Sequence, residues 1–105
     1  MNKTFRGDTF WRTYEVEYEN EPYVFEIDDV VRVAFCDEHD KYLSKEHKVI
    51  SPEESIRIEW TPEEMAELDS KTYILEVEVT TKKFRKTYQE FVDISKDYII
   101  TQGAE

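Results

Sequence analysis

Cysteine is almost absent from this chain, because Cys36 is the only one among 105 residues. A single thiol cannot form an internal disulfide, so the disulfide frameworks of small secreted domains are excluded and we expect synthesis in the cytoplasm. The chain has only two histidines, His39 and His47. Together with Cys36 they fall short of the four Cys or His ligands that a structural zinc site requires. We therefore predict no metal site, and the sequence leaves open any weaker metal affinity of the turn at Asp37–Lys41.

Glycine, proline and long apolar runs are also scarce. With two glycines and three prolines, most turns have to be made by Asp, Asn, Ser and Lys. The first ten residues, MNKTFRGDTF, contain no apolar core long enough for a signal peptide. No run approaches the ~18 apolar residues that span a bilayer. We predict a soluble protein that has no membrane partner.

Positive charge is also scarce, since the chain has 14 basic and 25 acidic residues and a formal charge of −11. Such a chain repels phosphate backbones, so we predict no nucleic-acid partner. Hydrophobic residues make up 39% of the chain and aromatic residues 14%, which is enough for a packed core. The length predicts one domain over residues 1–105, and the tail at 101–105 is expected to fray.

The clearest pattern lies between Ser55 and Thr81. Apolar and polar residues alternate on both sides of a central turn, which is typical of half-buried strands. Thr61 and Glu64 are three residues apart around Pro62, the spacing of a capping box, and this predicts one short helical turn near residues 62–68. The residues predicted to face the core are Ile56, Ile58, Trp60, Met65, Leu68, Tyr73, Leu75, Val77 and Val79.

Other segments predict further strands and an all-β sandwich. Val30–Cys36 is nearly continuous in apolar residues, as in the centre of a sheet. Tyr42–Ile50 is ambiguous, with Leu43, Val49 and Ile50 as its expected buried contacts. The remaining predicted strands are Thr9–Tyr18, a short one over Tyr23–Ile27, and Phe84–Ile94.

Four blocks of sequence resemble a known family. They are Arg6-Gly7-Asp8-Thr9-Phe10, Asn20-Glu21-Pro22-Tyr23, the strand Asp29–Phe35, and the strand, helical turn and strand over Ile58–Thr81. Together they are similar to the small immunoglobulin-like β-sandwich domains of phage and prophage structural proteins, including N-terminal domains of upper baseplate proteins. The chain departs from the family's turns, because Asp28 and Lys71 stand where the family usually has glycine, and Lys82-Lys83 stands where it usually has Asp-Gly.

This resemblance implies an antiparallel immunoglobulin-like sandwich of about seven strands. It also implies a non-enzymatic structural or assembly domain of a phage or prophage tail or baseplate, made in a bacterium and able to associate with the virion. Its partners would be proteins, either other virion proteins or further copies of the chain in a homo-oligomer. The resemblance transfers no catalytic residue and no cofactor.

Chemical candidates are weak. The strongest run for metal or thiol chemistry is Cys36 to Asp40, but a nucleophilic cysteine needs a base and a positive setting, whereas Asp37 and Glu38 raise the pKa of a thiol. The carboxylate pairs at 28–29, 53–54 and 63–64 suit turns and a helix N-terminus better than glycoside cleavage. We predict that the protein is not an enzyme and carries no cofactor.

Trp11 is the best candidate for an interface, since it lies on the parity opposite to Phe10 and Tyr14. We assign Trp11, Thr13 and Tyr23 to a candidate protein interface. A carbohydrate-binding module is the alternative, because aromatic side chains on a sheet stack on sugars. An acidic inhibitor that imitates nucleic acid is a third reading of the charge, and it requires carboxylates gathered on one face.

Overall fold

The computed structural model describes residues 2–5 and 7–95. In that part of the chain it contains nine strands and one short helix. In chain order they are β1 (Asn2–Phe5), β2 (Phe10–Tyr14), β3 (Glu17–Tyr18), β4 (Glu21–Pro22), β5 (Val30–Cys36), β6 (Lys41–Lys48), β7 (Ile56–Trp60), α1 (Pro62–Met65), β8 (Thr72–Thr80) and β9 (Arg85–Ser95).

The strands form one large sheet and two small ones. The large sheet has the order β1-β9-β8-β5-β6, while β2 pairs with β7 and β3 pairs with β4. Every pair is antiparallel except β1 with β9, which is parallel. The predicted all-β class is confirmed, although the parallel pair departs from a wholly antiparallel arrangement. The immunoglobulin-like connectivity stays a prediction.

The core follows from alternation along the strands. Every second residue of β8 is buried, from Tyr73 to Val79, and the same period holds in β7. Phe10 and Phe35 pack their rings against Trp60, with centroids 5.6 and 5.3 Å from it. All nine residues predicted for the core are buried. The predicted central strand Val30–Cys36 is also confirmed, because β5 is paired on both edges.

Local sequence specifies the helical turn. The Thr61 hydroxyl accepts a hydrogen bond from the Glu64 amide at 3.2 Å, and the Glu64 carboxylate accepts one from the Thr61 amide at 2.8 Å. This reciprocal capping box was predicted and is confirmed. The helix ends at Met65, earlier than predicted, and hydrogen bonds from the Glu67 amide to the Glu64 carbonyl and from the Leu68 amide to the Met65 carbonyl carry the chain on in a tighter turn. Met65 and Leu68 are both buried.

Two stretches differ from the sequence expectation. Val49 is buried as predicted, but Ile50 is 82% exposed and Leu43 is only partly buried. In the segment Tyr23–Ile27, Phe25 forms just an isolated bridge to Glu53. The predicted frayed tail at 101–105 lies outside the described residues. Within residues 2–5 and 7–95, the structure contains no helix with the length and apolar character needed to cross a bilayer.

Candidate functional site

Trp11 lies on the outward face of the small β2–β7 sheet. Its side chain is 47% exposed, and the guanidinium carbon of Arg57 lies 4.1 Å from its ring centroid. Arg57 also donates a hydrogen bond to Glu59 at 3.0 Å. Thr13 is exposed and pairs with Arg57 in the strand register. The structure therefore brings Trp11 and Thr13 together with two charged neighbours that the sequence pattern did not single out.

Tyr23 is not on this surface, and its assignment to the interface is corrected. The side chain is buried, and its hydroxyl donates a hydrogen bond to Asp29 at 2.6 Å. Its ring packs edge-on against Phe25 and Phe84, with centroids 5.7 and 5.1 Å away. Burial, followed by the bond to Asp29, raises the pKa of Tyr23 to about 12. Tyr23 shares its parity with Phe25, but its contact with Phe84, far away in sequence, depends on the tertiary fold.

The turn at Asp37–Lys41 is organised around one carboxylate. Asp37 accepts hydrogen bonds from the amides of His39 and Asp40 at 2.9 and 2.8 Å, and from Lys71 at 2.8 Å. The Lys71 ammonium, together with the two amides, holds the pKa of Asp37 well below its usual range. Burial raises the pKa of the Cys36 thiol, and Glu76 adds to this effect. In the described part of the chain, no group of three or more His, Cys, Asp or Glu side chains is placed to hold a metal ion.

The outward face of the large sheet carries a lattice of ion pairs, which we call the outer face and define by the outward residues of β5, β6, β8 and β9. Arg32 bridges Glu46 and Glu78, at 2.9 and 3.4 Å. Lys41 contacts Glu76 at 3.3 Å, and Arg85 pairs with Glu78. Charged residues of both signs are thus interleaved across four strands.

An apolar row closes one end of the outer face. Cys36, Ile74 and Phe91 are register partners on β5, β8 and β9, and Phe91 is 59% exposed. The row borders a shallow groove of about 500 Å³ that His39 and Lys71 also line. Sequence reasoning missed this row, since the mixed parity of β9 did not show which of its faces is open.

A second groove, of about 830 Å³, lies beside the β3–β4 hairpin. The carboxylates of Glu15, Glu17 and Glu54 line it, together with Tyr88 and the basic residue Lys86. Lys86 donates a hydrogen bond to the Glu17 carbonyl at 3.1 Å. The groove is therefore acidic, in contrast to the interleaved charges of the outer face.

Comparison with known proteins gives no relative. No protein-family model matches the chain, and neither a curated protein nor a solved structure matches it.

Proposed function

We propose that this chain is a non-enzymatic structural or assembly domain that acts by protein–protein association, as part of a phage or prophage tail or baseplate. The observation that carries the proposal is the exposed Trp11 ring stacked against Arg57. Trp and Arg are among the residues most enriched at energetically important interface positions. The phage assignment depends on the four sequence blocks that resemble phage structural domains.

The setting of Trp11 suits a rigid docking surface. Its neighbours in the β2–β7 register hold the backbone, and Arg57 is itself held by Glu59. A large side chain that is already ordered loses little conformational entropy when a partner covers it. An aromatic–guanidinium contact at an exposed site contributes only about 0.5–1 kcal/mol to the isolated fold. The contact between Trp11 and Arg57 therefore contributes too little to the stability of the fold to explain the exposed position of Trp11.

Affinity capture tests this function. The tagged protein is incubated with lysate of the host carrying its prophage, and captured proteins are identified by mass spectrometry. We expect a tail or baseplate protein that is lost with Trp11→Ala and retained with Ile50→Ala, which removes an apolar side chain that is 82% exposed elsewhere. Equal capture by both variants, or neighbouring genes for polysaccharide use in place of tail genes, would contradict the proposal.

The acidic groove favours a second candidate, an inhibitor that imitates nucleic acid. Glu15, Glu17 and Glu54 gather three carboxylates in one groove, and such a surface attracts basic proteins with a steep dependence on salt. A basic nucleic-acid-binding protein would be captured at low salt and released by moderate salt. Substituting the three acids with Gln would abolish that capture, whereas Trp11→Ala would leave it intact.

For the carbohydrate-binding alternative, the discriminating signal is tryptophan fluorescence. Trp60 is fully buried and Trp11 is about half exposed, so a bound sugar would change the emission of Trp11 alone. Trp11→Phe would then remove the response to sugar.

A further inference from the structure

The charges of the outer face cancel, although the chain as a whole is strongly acidic. The outward charged residues of β5, β6, β8 and β9 are four cations, Arg32, Lys41, Lys48 and Arg85, and four acids, Glu46, Glu76, Glu78 and Asp93. The formal charge of −11 is therefore carried entirely by the rest of the molecule. Two copies with this charge repel each other, whereas the outer face itself carries no net charge into a contact.

A partner can cover the outer face while its cations keep their acidic partners. Arg32, Lys41 and Arg85 already pair with acids of the same face. Covering a paired charge costs desolvation free energy, but less than covering a charge that has no partner. The apolar row of Cys36, Ile74 and Phe91 adds surface that gains from leaving water. Phe91, at 59% exposure, contributes the largest part of that gain.

The two halves of the outer face carry opposite charge. The outward residues of β5 and β6 include three cations and one acid, Glu46, whereas those of β8 and β9 include three acids and one cation, Arg85. A twofold axis lying in the interface and running along the strands sets β5 and β6 of each copy on β8 and β9 of the other. Arg32 of one copy then lies opposite Glu78 of the other, while Lys48 lies opposite Arg85. The same axis keeps the apolar rows at the same end, so Ile74 of one copy meets Cys36 of the other. An axis across the strands would set each row against the opposite end of the face.

From this self-complementarity we infer that the outer face binds a second copy of the chain, forming a twofold dimer whose axis runs along the strands. The inference deepens the proposed function by naming one protein partner, and it uses a face other than that of Trp11. Four strands about 4.8 Å apart and about 25 Å long give a footprint on the order of 400–500 Å² per copy. That is below the ~800 Å² per partner of a standard interface, so the dimer is weak and depends on concentration.

Sedimentation equilibrium from micromolar to millimolar protein tests the dimer. We expect the wild-type chain to dimerise, and Phe91→Asp to weaken association by about tenfold or more, because a charge replaces the most exposed apolar side chain of the row. Tyr88→Asp is the matched control, because Tyr88 lies on the same strand with 43% exposure and points to the other face. It should dimerise as wild type does. Circular dichroism checks that both variants are folded.

The only thiol of the chain gives a second readout. Cys36 lies in the apolar row, so its rate of maleimide labelling should fall as wild-type protein is concentrated and stay constant in Phe91→Asp. A monomer at millimolar concentration would overturn the inference. So would a dimer that Phe91→Asp leaves intact or that Tyr88→Asp disrupts. Trp11→Ala leaves this dimer unchanged, so failure of the dimer and failure of the Trp11 docking surface are separate results.

Discussion

Two tyrosine hydroxyls in this protein have opposite surroundings. The hydroxyl of Tyr14 is buried and has no hydrogen-bond partner among the described residues, whereas that of Tyr23 donates to the buried Asp29. Burial raises the pKa of Tyr14, and the nearby Glu90 adds to this effect. An unsatisfied buried hydroxyl destabilises a fold, and a hydrogen bond to a charged group stabilises it.

The same substitution should therefore have different effects on stability at these two positions. Tyr14→Phe removes an unsatisfied group and should leave the free energy of unfolding unchanged or raise it by about 1 kcal/mol. Tyr23→Phe removes a bond to a carboxylate and should lower it by about 1.5–3 kcal/mol. Urea denaturation measures both. Equal effects of the two substitutions would refute this assignment of roles.

Asp37 makes a pH-dependent contribution to stability. Its folded-state pKa is depressed, chiefly by Lys71 and the two turn amides. The stabilisation is therefore present above the unfolded pKa of about 3.9 and is lost as the pH falls through the folded value. We expect Asp37→Asn to lower the melting temperature at pH 7, with the difference from wild type shrinking below about pH 4. Asp40→Asn, at an exposed neighbour in the same turn, is the control for removing one negative charge from this turn.

At the scale of the element, the capping box holds α1 onto the core. The helix has four residues, so few of its backbone bonds are internal and the cap matters more than helix propensity. Thr61→Ala should lower the free energy of unfolding by about 1 kcal/mol, and Thr61→Ser should restore most of it because the hydroxyl is kept. Chemical denaturation compares the two. Full stability of Thr61→Ala would mean that burial of Met65 and Leu68 alone fixes the turn.

The strands show where alternation of apolar and polar residues predicts the structure and where it does not. Strict alternation predicted β7 and β8 with their buried residues, since a strand packed on one face repeats every two residues. Alternation did not predict β1. This strand lies near the start of the chain and pairs with β9, which lies near its end. Alternation also misplaced Ile50, which follows β6 immediately after the buried Val49. A pattern gives the face of a side chain, and tertiary neighbours decide whether that face is covered.

For the whole molecule, the distribution of charge sets how association responds to salt. Each copy carries −11, so added salt screens the repulsion between two copies, with a Debye length falling from ~30 Å at 0.01 M to ~10 Å at 0.1 M. We expect the dimer to tighten as sodium chloride rises over this range. A basic partner in the acidic groove would instead be released. Sedimentation at both salt concentrations distinguishes the two, and a dimer that dissociates with added salt would contradict contact through a neutral face.

By itself, the sequence determined the all-β class, the nine core positions, the capped turn and the excess of negative charge. These properties depend on composition and on neighbours within a few residues. Only the tertiary structure decided that Tyr23 is buried, that Phe91 is open to solvent and that the outer face is neutral. The physical reason is that exposure and local charge depend on which strands lie side by side, and that pairing joins residues far apart in the chain.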